Sequence, residues 1–132
     1  MRPKKTAIVK PVGAIVATAL LVGACGGGGD SGGSSIAGEP EEGVLRIVAD
    51  DTNDFDADSY QVAAGDIRVE YVHSGFQNHT LVIEGLEGQL RLEVENGGQD
   101  FGTVTLQPGR YIIYCDVAGH RDGGMEARLL VE

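Results

Sequence analysis

Lysine is absent from the 132-residue chain after Lys10. From position 25 onward six arginines stand against all twenty acidic residues, a net charge of −14. That balance argues against a basic face for nucleic acid; it keeps a small protein soluble and steers it toward basic partner surfaces. Cysteine is equally scarce. Cys25 and Cys115 are the two copies, too few for a disulfide-built scaffold. Apart from the initiator, methionine is reduced to Met125. No stretch carries an apolar period of 3.6 residues, so no amphipathic helix is predicted, and there are no internal repeats.

The longest apolar run, from Pro11 to Ala24, follows a start that carries Arg2, Lys4, Lys5 and Lys10. At about 14 residues it falls short of the roughly 20 that a membrane span needs. A basic start, a short apolar run and small residues before the break make a secretory leader. Leu21-Val22-Gly23-Ala24-Cys25 also resembles the lipobox of bacterial lipoproteins. That resemblance implies removal of residues 1–24 and a lipid on Cys25, which anchors the protein to the cell membrane on its extracytoplasmic, periplasmic side. Ordinary secretory cleavage near Ala24 and an uncleaved anchor are the alternatives. Residues 25–43 continue as GGGGDSGGSSIAGEPEEG after the cysteine; too poor in apolar side chains to order themselves, they read as a flexible tether.

Residues 44–132 read as short strands between turns. Runs at Val44–Ala49, Ser59–Ala63, Ile67–Val72, Thr80–Ile83, Leu90–Glu95, Thr103–Leu106, Arg110–Cys115 and Ala127–Val131 are rich in β-formers, several of them alternating. Gln107-Pro108-Gly109 and Asn96-Gly97-Gly98 supply turn chemistry between them. About eight strands in a domain of this size predict an all-β, antiparallel Greek-key sandwich. The acidic stretch from Asp50 to Asp58 departs from a calcium-loop pattern and reads as a solvated connection.

Chemistry concentrates near the C-terminus. Cys115, His120 and Met125 are separated by four residues each in a Gly-punctuated loop, so a single loop can turn thiolate, imidazole and thioether toward one centre. If Cys25 carries lipid, Cys115 is an unpaired thiol outside the cytoplasm, where thiols oxidise unless protected, and a metal is one protector. A buried inert core cysteine is the plain alternative. His79 supplies a second imidazole from Gln77-Asn78-His79-Thr80. Two His, one Cys and one Met form the donor set of a blue-copper site, soft enough for Cu(I) and still acceptable to Cu(II). His73 is spare and is expected at the surface, where a strand ends.

On this ligand run, and on the Val62–Asp66, Pro108–Tyr111 and Gly124–Ala127 turns, residues 44–132 resemble the cupredoxins, the small blue-copper electron carriers. The resemblance implies a cupredoxin-like sandwich with one type 1 copper ion held by His79, Cys115, His120 and the axial Met125. It implies a hydrogen bond from Asn78 that stiffens the ligand loops. It further implies an apolar electron port around His120, formed by Phe76, Val117, Ala118 and Gly119 with a polar rim of Asp116, Arg121 and Asp122. The expected activity is transfer of single electrons, without enzymatic turnover, between extracytoplasmic redox proteins such as a cytochrome, oxidase or reductase with a basic docking surface. Copper delivery or storage is the alternative, although a single internal methionine fits poorly with the Met-rich sites of such proteins.

Overall fold

Period-two patterning sorts the strands into an inner and an outer row. In β2 (Val44–Asp50) Leu45, Ile47 and Ala49 are buried, and in β5 (Gly65–His73) Ile67, Val69 and Tyr71 are, while Asp66 and Arg68 face solvent. The structure is a computed structural model that describes residues 6–9 and 41–132. The expected lipidation residue, Cys25, and most of the leader and tether lie outside the described residues. The described residues form ten strands and no helix. The others are β1 (Thr6–Ile8), β3 (Asp54–Phe55), β4 (Ser59–Val62), β6 (His79–Ile83), β7 (Arg91–Val94), β8 (Gln99–Leu106), β9 (Gly109–Tyr114) and β10 (Glu126–Val131).

Two sheets face each other across the core. One has the order β1-β4-β10-β9-β6-β7 and the other β3-β2-β5-β8. Leu45, Ile47, Ile67, Val69, Val104 and Leu106 from the smaller sheet pack with Leu81, Ile83, Leu92, Ile113 and Leu129 from the larger. The layering is the sandwich that the strand pattern predicts, but both sheets are mixed. β2 pairs with β5 in parallel, from Val44↔Arg68 to Ala49↔His73, and β4 pairs with β10 in parallel. A parallel neighbour cannot be reached through a hairpin; here β3 and β4 carry the chain from one sheet toward the other before it returns as β5. β3 escapes the strand reading because its two residues sit inside the acidic stretch, with Phe55 as the one large apolar side chain. Thr6–Ile8 pairs in parallel with Ser59–Gln61. Those three residues fall in the stretch read as a leader, so a chain processed before Cys25 would have β4 as its outer strand.

The β3–β4 connection is tied to the core by one hydroxyl. Tyr60 is buried, donates to Asp56 Oδ1 at 2.6 Å and accepts from Ala57 N–H at 3.2 Å, while Asp56 Oδ1 also accepts from Val48 N–H at 2.9 Å. Burial, reinforced by the Asp56 carboxylate, pushes the phenol far above its ordinary pKa. It therefore remains a hydrogen-bond donor throughout the working pH range. Tyr60→Phe strands the Ala57 N–H and takes one of two donors from the Asp56 carboxylate, and is expected to lower stability in urea unfolding by about 1–3 kcal/mol. An unchanged midpoint would show that water replaces the hydroxyl.

Candidate metal centre

The loop after β9 is laced by its own backbone. His120 N–H bonds Val117 O at 3.0 Å, Gly123 N–H bonds Gly119 O at 3.1 Å, and Gly124 N–H bonds Arg121 O at 3.0 Å. Gly119 (φ 83°) and Gly124 (φ 115°) take the left-handed backbone that these tight turns require. Two further bonds join the predicted ligand residues directly: Met125 N–H to His120 O at 3.0 Å and Cys115 N–H to Met125 O at 3.1 Å. The loop thus closes on itself, and Cys115 and Met125 are both fully buried.

His79 reaches this loop from the neighbouring strand. β6 pairs antiparallel with β9 through Val82↔Tyr114 and Ile83↔Ile113, which places the start of β6 beside the end of β9. His79 Nδ1 faces His120 Nδ1 at 3.1 Å, and His120 Nδ1 lies 3.6 Å from Cys115 Sγ. Donor atoms of His79, Cys115 and His120 all lie within 4.8 Å of one another, separations that one ion with bonds of roughly 2.0–2.3 Å can bridge. His79 is fully buried. Burial, then the neighbouring His120 and His73, hold its imidazole below the ordinary range, so at neutral pH its lone pair is free to bind a metal. Met125 is buried in the loop that Cys115 and His120 share, where its thioether can complete the donor set. In chemistry the four side chains fit copper, and the donor atoms of His79, Cys115 and His120 are close enough for one ion.

Thr80 joins the two ligand strands. Its N–H donates to Cys115 Sγ at 3.3 Å, its hydroxyl donates to Asp116 Oδ1 at 2.7 Å, and the same hydroxyl accepts from Asp116 N–H at 2.9 Å. A hydroxyl has one proton, and the shorter contact assigns it to Asp116; the sulfur, 3.5 Å from the hydroxyl, is held by the backbone N–H. This stiffening role was expected of Asn78. The structure instead turns the Asn78 amide to Glu93 Oε1 at 2.8 Å, out on the surface, and leaves the contacts to the end of β9 to Thr80. The sequence signal for Thr80 was its position directly after a predicted ligand histidine.

Other sequence expectations are redistributed. His73, expected at the surface, is fully buried and packs edge-on against His79 with ring centroids 5.2 Å apart. Asp116 is exposed, bonded to Thr80 and ion-paired with Arg91. Arg121 bonds Glu84 and Glu126, at 2.7 Å each, and lies over the Tyr114 ring. Phe76 is 81% exposed, Ala118 and Gly119 are exposed, and Val117 and His120 are half-buried. The loops that carry these residues meet where His79 faces His120.

Two outcomes follow for the metal-free protein. Thr80→Val removes the hydroxyl at nearly constant volume and leaves Asp116 N–H unpaired, with an expected cost of about 1–3 kcal/mol in urea unfolding; no loss would remove Thr80 as the tie. Partial burial pushes the Asp116 carboxyl up, but the Thr80 hydroxyl and the Arg91 guanidinium outweigh it and leave it below the ordinary range. A depressed carboxyl contributes stability that is present above its unfolded pKa, near 4, and is lost as pH falls through the lower folded value. Asp116→Asn should therefore narrow the gap in stability between pH 6 and pH 3. An identical gap in the variant would mean that other carboxylates carry the acid sensitivity.

No protein-family model matches the chain, and no curated protein matches it. Solved structures do. Dithionite-reduced auracyanin from the photosynthetic bacterium Roseiflexus castenholzii aligns with a TM-score of 0.61 at 19% identity, over 68% of this chain and 97% of that one. Auracyanin B aligns at 0.59 and 20% identity, over 76% and 96%. The azurin Az-iso2 from the obligate methylotroph Methylomonas sp. strain J aligns at 0.57 and 16% identity, over 67% and 96%. Each is covered almost end to end by the sandwich described above, and at these identities the likeness is one of fold: the chain has the cupredoxin fold.

Proposed function

We propose that this chain is a membrane-tethered type 1 copper protein that carries single electrons between redox partners outside the cytoplasm. The observation that supports this most directly is the convergence of His79 Nδ1, His120 Nδ1 and Cys115 Sγ, with buried Met125 closing the same loop. When bound, copper would supply a Cu(II)/Cu(I) couple to which thiolate, thioether and imidazole together are suited. The protein's own part is to hold those donors still. The Thr80 N–H on the sulfur, the Met125–His120 and Cys115–Met125 backbone bonds and the burial of His79 limit what can move when the charge changes. Four protein donors leave no position for a substrate, so the role is carrier and not enzyme.

Half-buried His120 is the exit for the electron, through an apolar patch of Phe76, Val117, Ala118 and Gly119. The acid excess of the chain suits a cytochrome, oxidase or reductase with a basic docking surface. A lipid on Cys25 and a tether of residues 26–43 would keep the domain at the extracytoplasmic membrane face while letting it turn between partners.

The purified protein with Cu(II) added is expected to show an intense visible thiolate band that bleaches on reduction and is absent in Cys115→Ser. Copper retained solely as Cu(I), without that band, would favour the delivery role, and no bound copper would overturn both. Ala118→Lys is expected to leave the band in place and slow electron exchange with a basic cytochrome several-fold by stopped flow. An unchanged rate would move the docking patch elsewhere.

A further inference from the structure

A second cluster backs onto His79. Atoms of Asp51, His73 and His79 lie within 4.8 Å of one another, which raises the question of a second metal. The hydrogen bonding argues against one. Gly97 N–H points at His73 Nδ1 at 3.3 Å, so that nitrogen presents its lone pair and the neutral ring carries its proton on Nε2. A metal-binding imidazole needs the reverse, a free lone pair toward the ion and a far N–H that donates to an acceptor. His73 Nε2, fully buried and without another partner, faces Asp51 Oδ1 at 3.4 Å.

The Asp51 carboxylate is instead a hub for donors. Phe76 N–H reaches its two oxygens at 2.8 and 3.1 Å, and Gln77 N–H reaches Oδ1 at 3.0 Å. The Gln77 side-chain amide returns to the Asp51 carbonyl at 3.0 Å. Backbone bonds from Phe76 and Gln77 are the leading reason that this carboxyl sits below its ordinary range. Gly75 completes the wrap, since a Cβ there would run into the carboxylate. Segment 73–77 is thereby folded around one side chain of the β2–β3 loop, and two residues further on stands His79.

We infer that Asp51 is a positioning residue for this site: its carboxylate sets the run from Phe76 to Asn78, and with it the entry of the His79 imidazole and the bearing of exposed Phe76, before any metal arrives. Its use in electron transfer rests on the copper function proposed above; the clamp itself belongs to the metal-free chain.

Amide hydrogen exchange on the metal-free full chain reads the clamp directly. Asp51→Ala is expected to speed exchange at Phe76 and Gln77 by about 5- to 30-fold, the factor that one or two net hydrogen bonds represent. The His120 and Met125 amides should not change. Asp51→Asn keeps an acceptor oxygen and should recover most of the protection. Gly75→Ala should speed the same two amides by displacing the carboxylate, yet add nothing in an Asp51→Ala background, where there is nothing left to displace. In the copper-loaded protein, Asp51→Ala should release the metal to a chelator faster by a similar factor and shift the reduction potential. Unchanged Phe76 and Gln77 exchange in Asp51→Ala, or in Gly75→Ala should the first variant fail to fold, overturns the inference. So does faster exchange with an unaltered potential and release rate. A wild-type chain without a thiolate–copper band overturns the copper function alone, and the exchange result still decides the clamp.

Discussion

Two strands that are neighbours in the sheet but not in the sequence become one rigid object where the Thr80 hydroxyl ties β6 to Asp116, just beyond the end of β9. The hydroxyl both gives and accepts a hydrogen bond with Asp116, and the adjoining N–H is turned onto the Cys115 sulfur. Antiparallel pairing brings the strands side by side further along. Without the side-chain tie, though, their ends would be two separate loops carrying one donor group and three. Thr80 is buried and the bond itself part-buried, so water competes only in part for its partners, and Arg91 steadies the carboxylate from outside.

Rigidity is then distributed unequally around the donors. The Cys115–Met125 loop is braced from within, by backbone bonds that run between the candidate ligand residues themselves. The approach to His79 has no such internal lacing and is braced from without, by Asp51 on a loop of the other sheet. Buried His73 lies behind both, with one ring nitrogen toward the β7–β8 turn and the other toward Asp51. A site organised in this way keeps its shape through contacts between elements. Under the proposed function, that keeps the donors from relocating as the charge alternates.

The surface divides along similar lines. An acid excess spread over the domain gives long-range attraction for basic partners, which acts on encounter rate. The loops beside His120 present small and apolar groups together with the exposed ring of Phe76. Under the proposed function the first brings a partner near and the second sets how closely it seats.

Much of this was legible in the sequence, because its signals are local. Alternation in β5, β7 and β10 follows from the pleat, and the turn residues follow from backbone sterics, so strand positions and the sandwich layering could be read directly. The Cys115-His120-Met125 spacing could be read as well, since all three lie on one loop and need no distant partner to be placed. His73, Asn78, Thr80 and Asp51 were not legible in this way. Each depends on which face of a strand, or which loop of the opposite sheet, meets it in space. His73 is fully buried through its position behind His79, and Asp51 sits in an acidic stretch that read as solvated until the Phe76 and Gln77 amides were found around it. The parallel pairings of β2 with β5 and β4 with β10 belong to the same class, for they depend on where the chain returns after changing sheets. The sequence by itself determined eight of the ten described strands, the layering and the loop that bears three donors, through interactions that reach only a few residues. Tertiary structure decided which side chains brace those donors, because hydrogen bonds between sheets depend on position in space and not on spacing along the chain.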